Sequence, residues 1–315
     1  MRDTPDHSFA ETGFPIGATG STGVASISDP LIMDEKQLGF EQYLRGIGVP
    51  DLSPATSPFD PGVAPAVLES HLTQSAHLMQ SLKISMACWM IAAPAATRRK
   101  VAATRAAGVT VQAGGGPYEV AVVQRRLPAY LDLCADVGFD AIECGSGFTD
   151  AEVNPAEIVS AAAARGLAVS YELGKKHGGE FDPHVLPGLV DEGRRWLDAG
   201  ARILIVEARE SAAGVGLFGA RGELNEALAE ELVSGFGLGM LIFEAPTKPS
   251  QFSLLNHFGP HVQLANVRLD ELLRVEIYRR GLHSDAFSKP NLRPQLTDAS
   301  GPDSRSADAS RLTDQ

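Results

Sequence analysis

The feature that most constrains this chain is a repeated phrase: an amphipathic stretch, a glycine, then a short apolar run. It recurs as AAGV, DVGFD, ARGLA and DAGAR. Each places Gly just past the last helical turn, where it accepts a left-handed cap at low cost before a strand begins. Candidate strands fall at 55–60, 82–86, 109–113, 141–144, 167–172, 202–207, 240–244 and 262–266, and candidate helices at 64–79, 94–107, 122–137, 154–165, 184–199, 222–234, 248–257 and 268–281. In 184–199, Val185, Leu189, Trp196 and Leu197 share one side, while Asp191, Glu192, Arg194 and Arg195 lie elsewhere.

Eight strand–helix units in about 230 residues match the size and count of a (β/α)8 TIM barrel. A doubly wound open sheet has the same alternation and is the runner-up. The barrel is assigned to residues 51–283 as a single α/β domain. Residues 1–50 are expected to be a partly disordered extension with one short helix at 35–45. Residues 284–315, rich in Ser, Asp, Pro and Arg, are expected to be a disordered tail with little to bury.

Composition removes several function classes. With 27 basic and 39 acidic residues the net charge is −12, which disfavours nucleic acid and anionic membrane surfaces as partners. No apolar run reaches the length of a transmembrane helix, and the polar first residues do not read as a secretory signal. Cys88, Cys134 and Cys144 form no CxxC pair, so neither a disulfide framework nor a zinc cluster is indicated. A cytoplasmic protein is expected, and barrels often associate through their outer helices, so a homo-oligomer is too.

In such barrels the chemistry sits at the C-terminal strand ends. Here Glu143, Glu172, Glu207 and Glu244 close four consecutive candidate strands, and Asn266 closes the last. Carboxylates converging on one mouth repel unless they share protons or a cation. An oxygen-seeking divalent ion such as Mg2+ meets that demand, and the four glutamates are its candidate ligands. The alternative is that some of them cap helices or pair with Lys and Arg at the rim.

Lys175 and Lys176 follow the fifth strand directly, Arg209 lies two residues past Glu207, and Lys83 interrupts an apolar run. These cations are candidates for anion binding or proton donation, although a strand-start position would leave Lys83 in solvent. Gly114, Gly115 and Gly116 follow the third strand and offer backbone N–H groups to an anion. Gly214 to Gly219 spells G-x-G-x-x-G, but polar residues separate it from its strand and no helix opens on it, so it is read as a decoy for a dinucleotide loop. Cys144 has no His partner in sequence and is read as a buried, inert thiol.

Several long phrases resemble the phosphosulfolactate synthase family: GFDAIE (138–143), YELGKK (171–176), IVEARES (205–211), GVGLFGARGEL (214–224), LIFEAP (241–246), FGPHVQLANV (258–267) and YRRGL (278–282). The resemblance covers about 55–285 and implies a (β/α)8 barrel that adds sulfite to phosphoenolpyruvate with Mg2+, giving (2R)-phospho-3-sulfolactate, the entry to coenzyme M. It implies Lys175 or Lys176 as general acid, with Lys175 preferred. It implies Lys83, Arg209, Asn266 and the Gly114–Gly116 loop at the substrate. The chain departs from the family pattern at Asp60-Pro61-Gly62, where a lysine is expected at 61, at ISMACW after Lys83, and at Gly145-Ser146-Gly147. Those departures leave two alternatives: a diverged barrel using another nucleophile or enolpyruvyl-type acceptor, or a non-catalytic, stress-associated relative.

Overall fold

The computed structural model describes residues 39–295. Eight parallel strands follow one another around a closed barrel: β1 (Thr56–Asp60), β2 (Ser81–Ile84), β3 (Thr110–Ala113), β4 (Ala141–Gly145), β5 (Ala168–Leu173), β6 (Ile203–Val206), β7 (Leu241–Glu244) and β8 (Gln263–Arg268). β8 pairs back onto β1, with a register shift between Ser57 and Pro58. Closure decides between barrel and open sheet, and the sequence-based strand bounds agree with the observed ones to within two residues.

The helices after the strands form the outer layer. Two departures from expectation have local causes. The helix expected at 122–137 is two helices, Gly116–Val123 and Leu127–Val137. The break falls at Arg125, which adopts a positive φ of 54°, because Pro128 lacks an N–H and can only open a helix. The boundary at 283 also moves. A short helix, Ser284–Phe287, follows it, and Ala286 and Leu292 are buried. The Gln295 N–H donates to Gly48 O at 3.1 Å. Packing therefore continues to at least residue 295, because these apolar side chains find a surface to cover. At the other end the helix expected at 35–45 is observed as Phe40–Gly46. Residues 1–38 and 296–315, with the disorder expected there, lie outside the described residues.

Strand alternation sorts the side chains. Ile142, Cys144, Val169, Tyr171, Leu204, Val206 and Phe243 point outward into the main core between sheet and helices. The inward set is split. Ile203, Ile205, Ile242 and Ala265 make an apolar wedge on β6–β8. The β2–β5 side is polar, with the Ser170 hydroxyl donating to Gln112 Oε1 at 2.9 Å. A barrel interior that is half polar needs partners for those groups, and the mouth supplies them.

At the opposite end, Arg279 is fully buried. It donates to Pro260 O at 2.5 Å, Val262 O at 2.7 Å, Thr56 Oγ1 at 3.0 Å and Glu276 Oε1 at 3.1 Å. This cation fastens helix Leu272–Arg279 across the β1–β8 seam. Replacing it (Arg279→Met) leaves the Pro260 and Val262 carbonyls without this donor and takes one of two guanidinium partners from Glu276, which keeps Arg280 and the Thr56 hydroxyl. The variant should lose about 3–5 kcal/mol in chemical denaturation; a change under about 1 kcal/mol would contradict the role.

Candidate functional site at the barrel mouth

Glu143, Glu172, Glu207 and Glu244 are all buried, and they stand together inside the C-terminal end of the barrel. Their spacing follows from strand parity and register. Glu143 pairs in register with Ser170, Gly145 with Glu172, Glu172 with Ile205, and Glu244 with Ala265. Gly145 makes room for this: a Cβ there would lie 3.2 Å from Glu172 Cβ.

Two ammonium groups thread the carboxylates. Lys83 Nζ lies 3.0 Å from Glu143 Oε2 and 3.3 Å from Glu244 Oε1. Lys176 Nζ lies 2.9 Å from Glu172 Oε1 and 2.6 Å from Glu207 Oε2. Neutral donors reach Glu143, Glu207 and Glu244 as well. Gly115 N–H donates to Glu143 Oε1 at 3.1 Å, Gln112 Nε2 to Glu143 Oε2 at 3.2 Å, Ala208 N–H to Glu244 Oε2 at 3.0 Å and Arg209 N–H to Glu207 Oε1 at 2.5 Å. Asn266 Nδ2 also donates to Glu244 Oε1. Every strand from β2 to β8 thus contributes to one ionic ring.

Four carboxylates against two ammonium groups leave two negative charges uncompensated. The protonation equilibria reflect this. Burial raises the Glu172 pKa well above the usual carboxylate range, and the neighbouring Glu207 and Glu143 charges add to it. Burial likewise lifts Glu244 to about 7, against the pull of Lys83. Glu207 goes the other way: burial alone would raise it, but Lys176 and hydrogen bonds within the ring hold it at about 2. Burial would lower both lysines, yet their carboxylate partners raise them, so both stay ammonium ions. Lys83, with its head group inside the ring, is not solvent-exposed as a strand-start residue would be.

A cavity of about 550 Å3 opens above the ring, lined by Lys83, the Gly114–Gly116 loop, Lys176, Arg209 and Asn266 among others. Asn266 Oδ1 is buried without a hydrogen-bond partner. Asn266 and Arg209 are non-glycine residues with positive φ, 53° and 56°, and such strained backbone is tolerated mostly at functional positions. The glycine loop is less open than its sequence suggests. Gly114 N–H is spent on Ile84 O and Gly115 N–H on Glu143. A side chain at 114 would lie 2.8 Å from Met86 N.

The structure separates the two adjacent lysines. Lys176 is in the ring, while Lys175 stands half-exposed on the rim, paired with Asp150. The second glycine motif is a tight turn packed beneath Glu207. Gly216, at φ 58°, would place a Cβ 2.2 Å from Glu207 O, and Val215 and Phe218 exchange hydrogen bonds. Cys144 is fully buried among outward-facing core groups, and burial pushes its thiol pKa far up.

Three contributors escaped the sequence reading. Gln112 bridges Ser170 and Glu143. Glu119, buried, holds the loop after β4. Lys100, from helix Pro94–Ala106, reaches Asp60 Oδ2 at 2.6 Å. Asp60 Oδ1 also accepts from Gly62 and Val63 N–H, so a lysine does reach the Asp60-Pro61-Gly62 corner, from a different element. No local pattern announces a partner 40 residues away; burial of a helix-borne lysine is visible only in three dimensions.

As the side chains lie, no three His, Cys, Asp or Glu residues among those described stand around a common point suited to a metal. The donor chemistry nonetheless suits Mg2+: oxygen ligands only, two surplus negative charges, a carboxyl forced up in pKa, and an unpartnered Asn266 oxygen.

Fold and mouth define the class, a (β/α)8 barrel with its charged groups gathered at the C-terminal end in the manner of barrel enzymes. The profile of (2R)-phospho-3-sulfolactate synthase (ComA) matches residues 50–285, and the chain belongs to that family. It is 29% identical over 251 residues to a phosphosulfolactate synthase of Methanocaldococcus jannaschii, covering 79% of this chain and 97% of that protein. It is 28% identical over 247 residues to one from Methanothermobacter thermautotrophicus, covering 78% and 95%. Among solved structures, Rhizobium etli pyruvate carboxylase T882A superposes with a TM-score of 0.50 at 14% identity, covering 78% of this chain and 26% of that one. That likeness concerns the fold alone. Among the described residues, no helix is long and apolar enough to cross a membrane.

The raised Glu244 pKa fixes a pH dependence. Glu244 titrates at about 7 in the fold and near 4.5 when unperturbed. Between those values the native state holds the extra proton, so stability falls as pH rises. Glu244→Gln removes that dependence. Measured with chelator present, it should gain about 3 kcal/mol on wild type between about pH 4.5 and about pH 8. A difference that stays constant with pH would contradict the assignment.

Proposed function

We propose that the chain catalyses Mg2+-dependent addition of sulfite to phosphoenolpyruvate, a carbon–sulfur lyase reaction giving (2R)-phospho-3-sulfolactate in the cytoplasm, as the first step toward coenzyme M or sulfolactate. The observation that carries this reading is Lys176, an ammonium group held by Glu172 and Glu207 at the floor of the mouth cavity, in a chain of the phosphosulfolactate synthase family.

The sulfur lone pair of sulfite attacks the methylene carbon of phosphoenolpyruvate and forms the C–S bond. The electrons of the C=C bond move toward the carboxylate, giving an aci-carboxylate, and the adjacent carbon takes a proton from Lys176 Nζ. The raised pKa of Lys176 does not bar this transfer, because the carbon base formed in the attack is far stronger than an amine. Lys176 regains its proton from solvent. Lys83 stays charged beside it and offsets the developing negative charge, which preorganised cations in a low-dielectric site do well. Arg209, Asn266 and the Gly114–Gly116 loop line the cavity where phosphate and sulfonate would sit. Mg2+, held by Glu172 and Glu207 with Glu143 and Glu244 beside them, would supply Lewis-acid stabilisation at the substrate's oxygens. The surplus negative charge of the ring supports this reading, since a trianionic substrate cannot approach it uncompensated.

The test follows phosphoenolpyruvate, sulfite and Mg2+ by NMR. A sulfite-dependent, chelator-sensitive phosphosulfolactate signal is expected. Lys176→Met should lower the rate by at least about a thousandfold, while Lys175→Met stays within about tenfold of wild type. No product from the folded wild type would sink the reaction, and an active Lys176→Met would sink the role of Lys176.

A further inference from the structure

Glu119 is a buried carboxylate that the ring does not use. It sits in the first turn of helix Gly116–Val123, directly after the glycine loop of β3, and is 2% exposed. Its Oε2 accepts three hydrogen bonds, from Phe148 N–H, Thr149 N–H and the Thr149 hydroxyl, each at 3.0 Å. A carboxylate that receives three donors on one oxygen, all from a single loop, is a clamp on that loop. Backbone donors to a charged acceptor are among the stronger protein hydrogen bonds.

The clamped loop follows β4 and touches Lys176. Gly147 O accepts the Lys176 N–H at 2.8 Å, which fixes the backbone of the lysine. Gly147 also lies against the side chain: a Cβ there would come within 3.0 Å of both Lys176 Cγ and Cε, and 3.1 Å of Glu172 Oε1. The stem of Lys176 therefore runs along the Gly147 backbone before its head enters the ring. One residue further on, Phe148 lines the mouth cavity. Glu119 touches neither Lys176 nor the cavity, yet it holds the segment that holds both.

We propose that Glu119 is a positioning residue for Lys176, acting through the loop of residues 145–150. The chain of contacts runs from the Glu119 carboxylate to the Phe148 and Thr149 amides, then through Gly147 to the backbone and stem of Lys176. Lys176 stands at the junction of Glu172 and Glu207, so a shift of the loop moves the ammonium group relative to both. The consequence for turnover rests on the reaction proposed above; the mechanical coupling does not.

Two readouts test this separately. The first is amide hydrogen exchange on the full chain. Glu119→Ala should speed exchange at Phe148 and Thr149, and also at Lys176, by about tenfold or more. Helix Pro155–Ala163 should keep its protection as a control for the fold. Unchanged protection at Lys176 would overturn the coupling. The second is kinetic. Glu119→Ala should lower kcat by on the order of tenfold to a hundredfold, with KM within about threefold. Glu119→Gln keeps a carbonyl oxygen for the same three donors and should restore both kcat and Lys176 protection to near wild type. A Gln variant as impaired as Ala would overturn the clamp. If Glu119→Ala does not fold, Glu119→Asp, one methylene too short to reach the loop, takes its place in both measurements. A wild type that makes no product overturns the reaction alone, and the exchange result still decides the positioning role.

Discussion

Two lysines among four buried glutamates are the interaction on which the rest of this structure depends. Neither set could be buried alone: an isolated charge inside a barrel costs several kcal/mol, and four carboxylates at contact distance repel. Lys83 spans Glu143 and Glu244, and Lys176 spans Glu172 and Glu207. Lys83, on β2, thus ties β4 to β7 across the barrel, while Lys176 ties β5 to the end of its neighbour β6. Main-chain donors from Gly115, Ala208 and Arg209 take the second oxygens of Glu143, Glu244 and Glu207. The loops after β3 and β6 are therefore fastened to the same ring.

That fastening explains the backbone around the mouth. Arg209 follows the Glu207 carboxylate with a positive φ, and Gly216 fills a space against Glu207 O too small for any side chain. Gly145 and Gly147 lie against Glu172, and Gly147 also against the stem of Lys176. Substituting these positions presses on the charged groups directly. The interior divides accordingly, with an apolar wedge on β6–β8 and a polar wall on β2–β5 that hands hydrogen bonds up to Glu143 through Gln112.

The barrel was legible in the sequence because helix caps and apolar runs are local, and eight of each leave few architectures. The glutamates were legible for the same reason: parity along a strand places every second residue inside, so strand-final acids had to meet. What sequence could not resolve was which cation meets which acid. Lys175 and Lys176 are neighbours, yet Gly147 O takes the amide of the second, whose side chain enters the ring while the first pairs with Asp150 at the rim. Glu119 and Lys100 were missed because each acts on a loop or strand end far along the chain. Packing of residues 284–295 was not legible because Ala286 and Leu292 are sparse apolar groups in a polar segment, and only their docking surface reveals them.

With all four glutamates ionised the ring is two positive charges short, and burial with the neighbouring charges holds the Glu172 pKa high, so the proposed Mg2+ site makes one direct demand. A metal that binds there must displace a proton. Titration calorimetry of Mg2+ into the protein near neutral pH, in buffers of different ionisation enthalpy, measures this directly. Saturable binding with release of about one proton per ion is expected, and the release should fall in Glu172→Gln. Binding with no proton released, or release unchanged in that variant, would contradict the proposed site.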